Sequence, residues 1–198
     1  QGNFSLGLKE TSQLTVATQD NVVLTSDIKY SSSNKSIVSV SAKGVVTAKK
    51  TGTATITAVY KGGKKASSKI TVKSAPTSVS LNYATATIGV GEKSLDLDSK
   101  IHGGYSRLRK WSSSNIKVAS VNGSGVVTGV SEGTATITCT AYNGKKASCK
   151  VTVRKAPTSL AITNSNQKIQ YGTSQYKIKT KLSGGSASRL ITYKSSNT

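Results

Sequence analysis

The chain has 198 residues, and 28 Lys and Arg residues against seven Asp and Glu give it a formal net charge of +21. Such a charge favours polyanionic partners such as nucleic acid, anionic lipid or acidic cell-wall polymer. All but four of the basic residues are lysines, which act as point charges, whereas arginine supplies the planar fork used for directed phosphate and base recognition. The composition therefore favours diffuse attraction over nucleic-acid readout, with a solvated lysine-rich surface that has no partner as the alternative.

A long stretch of the chain occurs twice. Residues 30–72 align without a gap with residues 111–153, and Pro76 aligns with Pro157. A third copy begins at Pro157 and reaches Asn197. Self-similarity at a fixed period indicates a tandem array. We predict three segments: module one over 1–73 without its opening strand, module two over 76–153, and the opening half of module three over 157–198.

Both ends of the chain cut through a repeat, and neither an export signal nor a run of about 18 apolar residues is present. We therefore expect no transmembrane segment, and we expect the chain to be a piece of a longer exported protein whose targeting signals lie outside it. The half-module over 157–198 lacks the strands that would close its core, so we predict that it does not fold alone.

Val, Ile, Thr, Ser and Gly dominate the repeat, which is the composition of strands and turns. Short apolar alternations bounded by Gly, Asn and Ser predict an all-β fold of tandem antiparallel β-sandwich modules. Module one is aligned so that Leu14 matches Leu95. In module two, strands are predicted near 78–82, 85–90, 94–98, 107–112, 117–121, 125–130, 134–142 and 145–153.

The ordered motifs of the repeat resemble those of the bacterial immunoglobulin-like group 2 (BIG2) module. They are an aromatic residue followed by a Ser-Ser-Asn run, a Gly-Val-Val-Thr strand, a Gly-Thr-Ala-Thr-Ile-Thr strand and a last strand ending in Thr-Val, found at 30–34 and 111–115, 44–47 and 125–128, 52–57 and 133–138, and 69–72 and 150–153. The resemblance implies immunoglobulin-like β-sandwiches and a surface-exposed spacer or adhesive stalk. Such modules occur in adhesins, in cell-wall-associated and carbohydrate-active enzymes, and in phage tail proteins.

Alternation along the last hairpin predicts which side chains point into the core. Tyr30 and Trp111 are the predicted core aromatics, and their role is comparable, by analogy, to that of the strand-C Trp of immunoglobulin domains. In module two the predicted inward positions of the hairpin are Ala135, Ile137, Cys139, Ala141, Ala147, Cys149, Val151 and Val153.

Cys139 and Cys149 are the only cysteines. If the hairpin loop consists of Asn143, Gly144 and Lys145, the two cysteines lie directly opposite each other, with Cβ atoms about 4.5–5.5 Å apart, slightly wider than a disulfide requires. We predict a disulfide, with two buried thiols as the alternative. A two-residue loop would shift the register and weaken the prediction.

The outward positions of the last strand in each module are rich in basic residues, and outward threonines line the neighbouring strand. This basic and hydroxyl stripe suits sulfate, phosphate or carboxylate polymers. The alternative is that Thr simply suits exposed strands and that Lys on a sheet edge blocks edge-to-edge aggregation. The candidate polyanion-binding residues are Lys65, Lys69, Lys73, Lys146, Lys150 and Arg154.

The sequence offers little for catalysis or metal binding. The carboxylates are scattered without a recurring pair. A Ser nucleophile needs an activating base, and His102, the only His, lies in an apparent loop. Two inward cysteines and one His do not make a zinc site, and Asp96 with Asp98 lacks the further oxygen ligands that calcium needs. We predict a protein that is not an enzyme and has no cofactor and no metal.

We interpret the chain as a non-catalytic spacer or adhesion stalk from an exported bacterial protein, located at the cell surface. One alternative is a module that binds anionic cell-wall polymer or surface polysaccharide through the basic and hydroxyl stripe. Another is an accessory region of a cell-wall or carbohydrate-active enzyme, or of a phage tail protein. Nucleic acid is disfavoured as a partner because no recognition element accompanies the charge.

Overall fold

The computed structural model describes residues 2–17, 22–24, 26–164, 168 and 176–196, and Asn197 lies outside these ranges. Within them, all helix or strand structure is β-strand. The strands are, in chain order, β1 (Phe4–Gly7), β2 (Thr11–Gln13), β3 (Val16–Ala17), β4 (Val23–Leu24), β5 (Ile28–Ser32), β6 (Val38–Val40), β7 (Val45–Ala48), β8 (Gly52–Tyr60), β9 (Lys65–Lys73), β10 (Ser78–Leu81), β11 (Thr85–Gly89), β12 (Leu95–Asp96), β13 (Ser99–His102), β14 (Arg109–Ser113), β15 (Ala119–Val121), β16 (Val126–Gly129), β17 (Gly133–Ala141), β18 (Lys146–Arg154), β19 (Leu160–Ile162) and β20 (Thr180–Leu182).

The chain forms two compact units that do not follow the repeat boundaries, because three segments of the second repeat (76–80, 100–110 and 139–147) lie in the first unit. The module boundaries predicted from the repeat, 1–73, 76–153 and 157–198, therefore stay predictions. The first unit contains residues 1–80, 100–110 and 139–147, and the second contains residues 81–99, 111–138 and 148–198.

The first unit is built on two sheets that share a core. One sheet has the strand order β1-β9-β8-β5 and the other the order β2-β7-β6. β8 buries Ala54, Ile56 and Ala58 and leaves the intervening threonines outside the core, as strand alternation predicts. The buried cluster consists of Leu6, Leu14, Val38, Val46, Ala48, Ala54, Ile56, Ile70 and Val72.

The second unit repeats this arrangement with the strand orders β11-β18-β17-β14 and β12-β16-β15. β17 and β18 again send alternate side chains into the core. The buried cluster consists of Ile88, Leu95, Leu97, Val118, Ala119, Val127, Ala135, Ile137, Cys149, Val151 and Val153. The all-β, immunoglobulin-like sandwich fold is therefore confirmed.

One strand pair in each four-stranded sheet is parallel, which the antiparallel prediction did not include. β1 runs parallel to β9, with Phe4 beside Ile70, and β11 runs parallel to β18, with Thr85 beside Lys150. The paired strands are far apart in sequence, and a long connection allows either direction, whereas a tight hairpin imposes an antiparallel one. Alternation along a single strand carries no information about this choice.

The alignment of Leu14 with Leu95 is wrong. Leu14 N–H donates to the Gly44 carbonyl at 3.0 Å, and Leu97 N–H donates to the Gly125 carbonyl at 3.1 Å. Gly44 and Gly125 are equivalent in the repeat, so Leu14 occupies the place of Leu97. The second repeat has more residues in the turn before this leucine, and an ungapped alignment cannot show them.

Residues Ser99–His102 form strand β13, which the sequence analysis did not predict. His102 therefore ends a strand rather than lying in a loop, and its Nε2 is 2.8 Å from the hydroxyl oxygen of Ser80. Thr77 N–H also donates to the His102 carbonyl at 3.0 Å. These contacts give His102 a structural role in joining β13 to the strand that opens the repeat.

Candidate functional site

The basic and hydroxyl stripe of the first repeat lies on the outward face of its four-stranded sheet. Lys65, Lys69 and Lys73 are exposed on β9. Thr55 on β8 stands directly opposite Lys69, and Thr53 stands opposite the outward Thr71. Successive lysines on β9 are four residues apart, or about 13 Å along an extended strand. Each lysine is thus separated from the next by a row of hydroxyl groups.

The second repeat presents the same pattern on β18. Lys146, Lys150 and Arg154 are exposed. On the neighbouring β17, Thr134 and Thr136 are exposed as well. The structure therefore places all six candidate residues at outward positions, three on each strand. Their role in binding a polyanion remains a prediction.

Protection of a sheet edge does not explain all of these basic residues. β1 pairs with β9 only from Ile70 onward, and β11 pairs with β18 only from Lys150 onward, so Lys150 lies between two neighbouring strands. Lys65, Lys69 and Lys146 precede these pairings, and a lysine can block edge-to-edge pairing where one side of a strand is unpaired. Edge protection of these segments, the suitability of Thr for exposed strands, and a solvated surface without a partner remain as alternatives.

Cys139 and Cys149 are both buried, and no bond joins their sulfur atoms in the structure. Ala141 N–H donates to the Lys145 carbonyl at 2.8 Å, so the loop consists of residues 142–144, one position earlier than predicted. The hydroxyl groups of Thr138 and Ser148, 2.9 Å apart, show the same register further along the hairpin.

In this register Cys139 stands opposite Ala147, and Cys149 stands opposite Ile137. The assumption that the two cysteines face each other is therefore wrong. Burial raises the pKa of the Cys149 thiol, while the positive charge of Arg189 lowers it to a smaller extent. The disulfide remains a prediction that this register does not favour, and counting free thiols by mass spectrometry after denaturation without reductant tests it directly.

Tyr30 and Trp111 are half-buried and pack against the two apolar clusters. Each ring lies over a glycine that has a left-handed backbone conformation. A Cβ added to Gly44, with φ of 77°, would lie 2.9 Å from the Tyr30 ring, and one added to Gly125, with φ of 93°, would lie 2.8 Å from the Trp111 ring. The glycine of the Gly-Val-Val-Thr motif is thus required both for its backbone angle and for the space that the aromatic ring fills.

A buried carboxylate that the sequence analysis did not single out joins the first repeat to the second, inside the first unit. Glu10 is fully buried. Its Oε2 accepts hydrogen bonds from Gly7 N–H at 2.8 Å and from Arg107 N–H at 3.0 Å, and its Oε1 accepts one from Leu108 N–H at 2.7 Å. Three backbone donors, two of them in the next repeat, therefore converge on one carboxylate, which we term the first clamp.

Further contacts surround the first clamp. The Tyr142 hydroxyl donates to the Leu8 carbonyl, and the Arg107 guanidinium lies 4.4 Å from the centroid of the Phe4 ring. Burial raises the pKa of the Tyr142 hydroxyl, and the negative charge of Glu10 raises it further. Tyr142 therefore remains a neutral donor at physiological pH, which preserves its bond to Leu8.

A second clamp of the same design joins the second repeat to the third, inside the second unit. The Glu92 carboxylate accepts hydrogen bonds from Gly89 N–H at 2.7 Å, from Arg189 N–H and from Leu190 N–H at 2.8 Å. The Ser188 hydroxyl adds a fourth bond at 3.2 Å. Burial raises the pKa of Glu92, but the backbone N–H groups of Gly89, Arg189 and Leu190 and the Ser94 hydroxyl together lower it more, so the net pKa lies below its usual value.

A sequence signal for the clamps was present. Gly7 and Glu10 recur as Gly89 and Glu92, and the Ser-Arg-Leu triplet at 106–108 recurs at 188–190. Both recurrences are offset by one position from the alignment of the main repeat. The sequence analysis looked for pairs of carboxylates that recur. Each clamp has one Glu, and its partners are backbone N–H groups, so such a pair is absent.

Among the described residues, no group of three or more His, Cys, Asp or Glu side chains could hold a metal ion. Nor does that part of the chain contain a helix long and apolar enough to cross a membrane.

Comparison with known proteins gives one family match. The family model described as Bacterial Ig-like domain (group 2) matches residues 4–72 and again residues 75–151, which together make up more than half of the chain. This is a non-catalytic type of domain. No curated protein matches the chain.

Several solved structures are similar over most of this chain. The S-layer protein rSbsC(31-844) is 23% identical over 75% of this chain and 24% of its own, with a TM-score of 0.37. The C-terminal 282-residue fragment of intimin, solved with the intimin-binding domain of its translocated receptor, is 16% identical over 75% of this chain and 60% of its own, with a TM-score of 0.34. Extracellular cadherin domains 1–4 of protocadherin gamma B7 are 13% identical over 91% of this chain and 57% of their own, with a TM-score of 0.35. The chain thus spans about a quarter of the length of the S-layer protein.

Proposed function

Because the chain belongs to the bacterial immunoglobulin-like group 2 family, we propose that it is a non-catalytic spacer or adhesion stalk from an exported bacterial surface protein. In this role the tandem repeats carry a functional tip away from the cell surface. Weak contacts made by each repeat add along the array.

The observation that carries this proposal is the pair of carboxylate clamps. Each clamp ties a repeat to the segment that follows it through two backbone hydrogen bonds to a buried Glu. A hydrogen bond to a charged group contributes roughly 1.5–3 kcal/mol. Independent domains on flexible linkers do not need hydrogen bonds between successive repeats. A spacer that must hold its length does need them.

The spacer role can be tested by placing the chain between a cell-wall anchor and a ligand-binding tip on a bacterial surface. The matched control replaces residues 1–198 with a Gly/Ser linker of the same number of residues, which behaves as a flexible coil. We expect the natural chain to permit capture of ligand-coated beads and the Gly/Ser control to permit clearly less. Equal capture would contradict the proposal.

A second candidate function is binding of an anionic cell-wall polymer or surface polysaccharide through the stripe. The observation that favours it is that both repeats present the same row of exposed basic residues beside outward threonines. It is tested by co-sedimentation of the chain with purified bacterial cell walls over a salt series. We expect binding that weakens as salt rises and that is lost in a variant with Lys65, Lys69, Lys146 and Lys150 changed to Gln.

Equal sedimentation of the wild type and the Gln variant would show that the stripe does not bind the cell wall. An accessory role beside a catalytic domain or in a phage tail protein gains no support from any feature of the described residues.

A further inference from the structure

A concave basic surface lies beside the first clamp, inside the first unit. It borders an open cavity of about 570 Å³, within the range of small-molecule sites. We term it the junction pocket. Its lining combines three basic residues with two threonines and a largely apolar floor: Lys9, Thr11, Leu108, Arg109, Lys110, Thr140, Ala141, Tyr142 and Gly144.

No carboxylate is among the residues that line the junction pocket. The nearest acid in the sequence, Glu10, is fully buried and accepts three backbone hydrogen bonds, so its carboxylate is not exposed to the pocket. Lys9, Arg109 and Lys110 are all exposed. The pocket therefore concentrates positive charge in a concave site, which attracts a negatively charged ligand.

Lys9 occupies its position in spite of an unfavourable backbone. Its φ is 73°, in the left-handed region that favours glycine, and its N–H is fixed to the Ala48 carbonyl at 2.8 Å. The equivalent residue at the second clamp is Gly91, with φ of 78°, whose N–H donates in the same way to the Gly129 carbonyl. A strained non-glycine residue where glycine fits freely suggests a function for the side chain.

The other two cations are also specific to the first junction. Arg109 and Lys110 follow Ser-Arg-Leu in the second repeat, whereas Ile191 and Thr192 follow the same triplet in the third. The clamp itself needs none of these three side chains, because its donors are backbone N–H groups. The basic residues of the pocket are thus not required by the fold of the junction.

The rest of the lining indicates what kind of anion fits. The Tyr142 hydroxyl is already bonded to the Leu8 carbonyl, so Tyr142 offers its ring. That ring, with Leu108 and Ala141, forms a floor that suits the C–H faces of a sugar. The hydroxyls of Thr11 and Thr140 can exchange hydrogen bonds with sugar hydroxyls, and the cations can pair with a sulfate, phosphate or carboxylate group.

We propose that the junction pocket is a binding site for an anionic saccharide, meaning a sugar unit that carries sulfate, phosphate or carboxylate. This site goes beyond the spacer role and is distinct from the stripe on the sheet faces. The clamp holds the two sides of the pocket together before the ligand arrives.

The test is calorimetric titration of the full chain with three hexasaccharides at low and physiological salt. Heparin hexasaccharide carries sulfate as well as carboxylate groups, whereas hyaluronan hexasaccharide carries carboxylate alone, so comparing the two shows whether sulfate is required. Maltohexaose, which is neutral, is the control for charge, and the anionic peptide hexaglutamate is the control for sugar. The pocket variant, Lys9→Gly with Arg109→Ile and Lys110→Thr, carries the residues of the second junction. The matched variant, with Lys65, Lys69 and Lys150 changed to Gln, loses the same charge from the stripe.

We expect at least one anionic hexasaccharide to bind the wild type, with an affinity reduced about tenfold or more in the pocket variant and less than about threefold in the matched variant. The single change Lys9→Gly keeps the fold, since glycine accepts this backbone, and should by itself lower the affinity. Equal losses in the two triple variants would overturn the proposal in favour of diffuse attraction, and a loss confined to the matched variant would assign binding to the stripe. Absence of binding by the wild type, or equal binding of maltohexaose or hexaglutamate, would overturn it as well.

Discussion

The first and second repeat junctions are built on the same hydrogen bonds but carry different surfaces. In both, a carboxylate accepts from a glycine N–H three residues earlier and from two consecutive backbone N–H groups of the next repeat. Glu10 is 0% exposed and Glu92 is 8% exposed. Around them, the first junction presents three cations where the second has Gly91, Ile191 and Thr192.

The two junctions show that joining the repeats and presenting surface charge are separate roles. The hydrogen bonds common to both clamps use one Glu side chain and backbone donors, so none of them depends on the side chains of Lys9, Arg109 and Lys110. Surface charge at the junction can therefore vary from repeat to repeat without altering how the repeats are joined. The same separation of scaffold and site is general among β-sandwich proteins, whose function resides in side chains placed on the fold.

Removal of the first clamp should have the largest effect on stability. Glu10→Ala leaves one buried and two part-buried N–H groups without an acceptor, and we expect a loss of about 3–5 kcal/mol in the free energy of unfolding. Glu92→Ala should cost less, because Glu92 is 8% exposed whereas Glu10 is 0% exposed. Urea titration measures both, with Glu132→Ala as the control, since its one described hydrogen bond, from Lys155 N–H at 3.2 Å, is exposed. A larger loss for Glu92 than for Glu10 would show that burial does not set the strength of a clamp.

Close packing at the glycine of each clamp gives the next largest effect. A Cβ at Gly7 would collide with the Tyr105 carbonyl oxygen, and one at Gly89 would collide with the Ala187 carbonyl oxygen. Because both obstacles are backbone atoms, we expect Gly7→Ala and Gly89→Ala each to cost about 3 kcal/mol. Gly2→Ala is the control, since nothing lies within 4 Å of its added Cβ. Calorimetry measures the melting temperatures of the three variants. A melting temperature of Gly7→Ala equal to that of Gly2→Ala would contradict this expectation.

The sequence predicted those parts of the molecule that depend on local pattern. The repeat gave the family and the fold, and alternation placed Lys65 and Lys150 on outward positions correctly. The hairpin register was wrong by one loop residue, because Asn143-Gly144 is compatible with more than one loop. The clamps were not predicted, because their donors are backbone groups about a hundred residues away along the chain. Every residue type except Pro has a backbone N–H, so the sequence does not distinguish these donors.

Acid should loosen the second clamp. The pKa of Glu92 lies below its usual value of 4.5, so the stability that its carboxylate contributes is present above that value and is lost as pH falls through the lowered pKa. We expect the wild type to exceed Glu92→Gln in the free energy of unfolding by about 1–2 kcal/mol at neutral pH, and this difference to shrink only below pH 4.5. Urea titrations of both proteins over a pH series give the result. A difference that is already lost at pH 6 would contradict the assignment.

The smallest effect concerns the residue that distinguishes the two junctions most clearly. Lys9→Gly relieves a left-handed backbone and should raise the free energy of unfolding by about 0.5–1 kcal/mol, although glycine also loosens the unfolded chain. The reciprocal change, Gly91→Lys, should lower it by a similar amount, because its φ of 78° is as unfavourable for lysine as that of Lys9. Nothing lies within 4 Å of a Cβ at Gly91, so strain of the backbone and not collision is what this pair measures. Urea titration measures the free energy of unfolding of both variants. A gain for Lys9→Gly with a loss for Gly91→Lys would show that Lys9 is retained at a cost in stability. A loss in both variants would mean that the Lys9 side chain supports the fold.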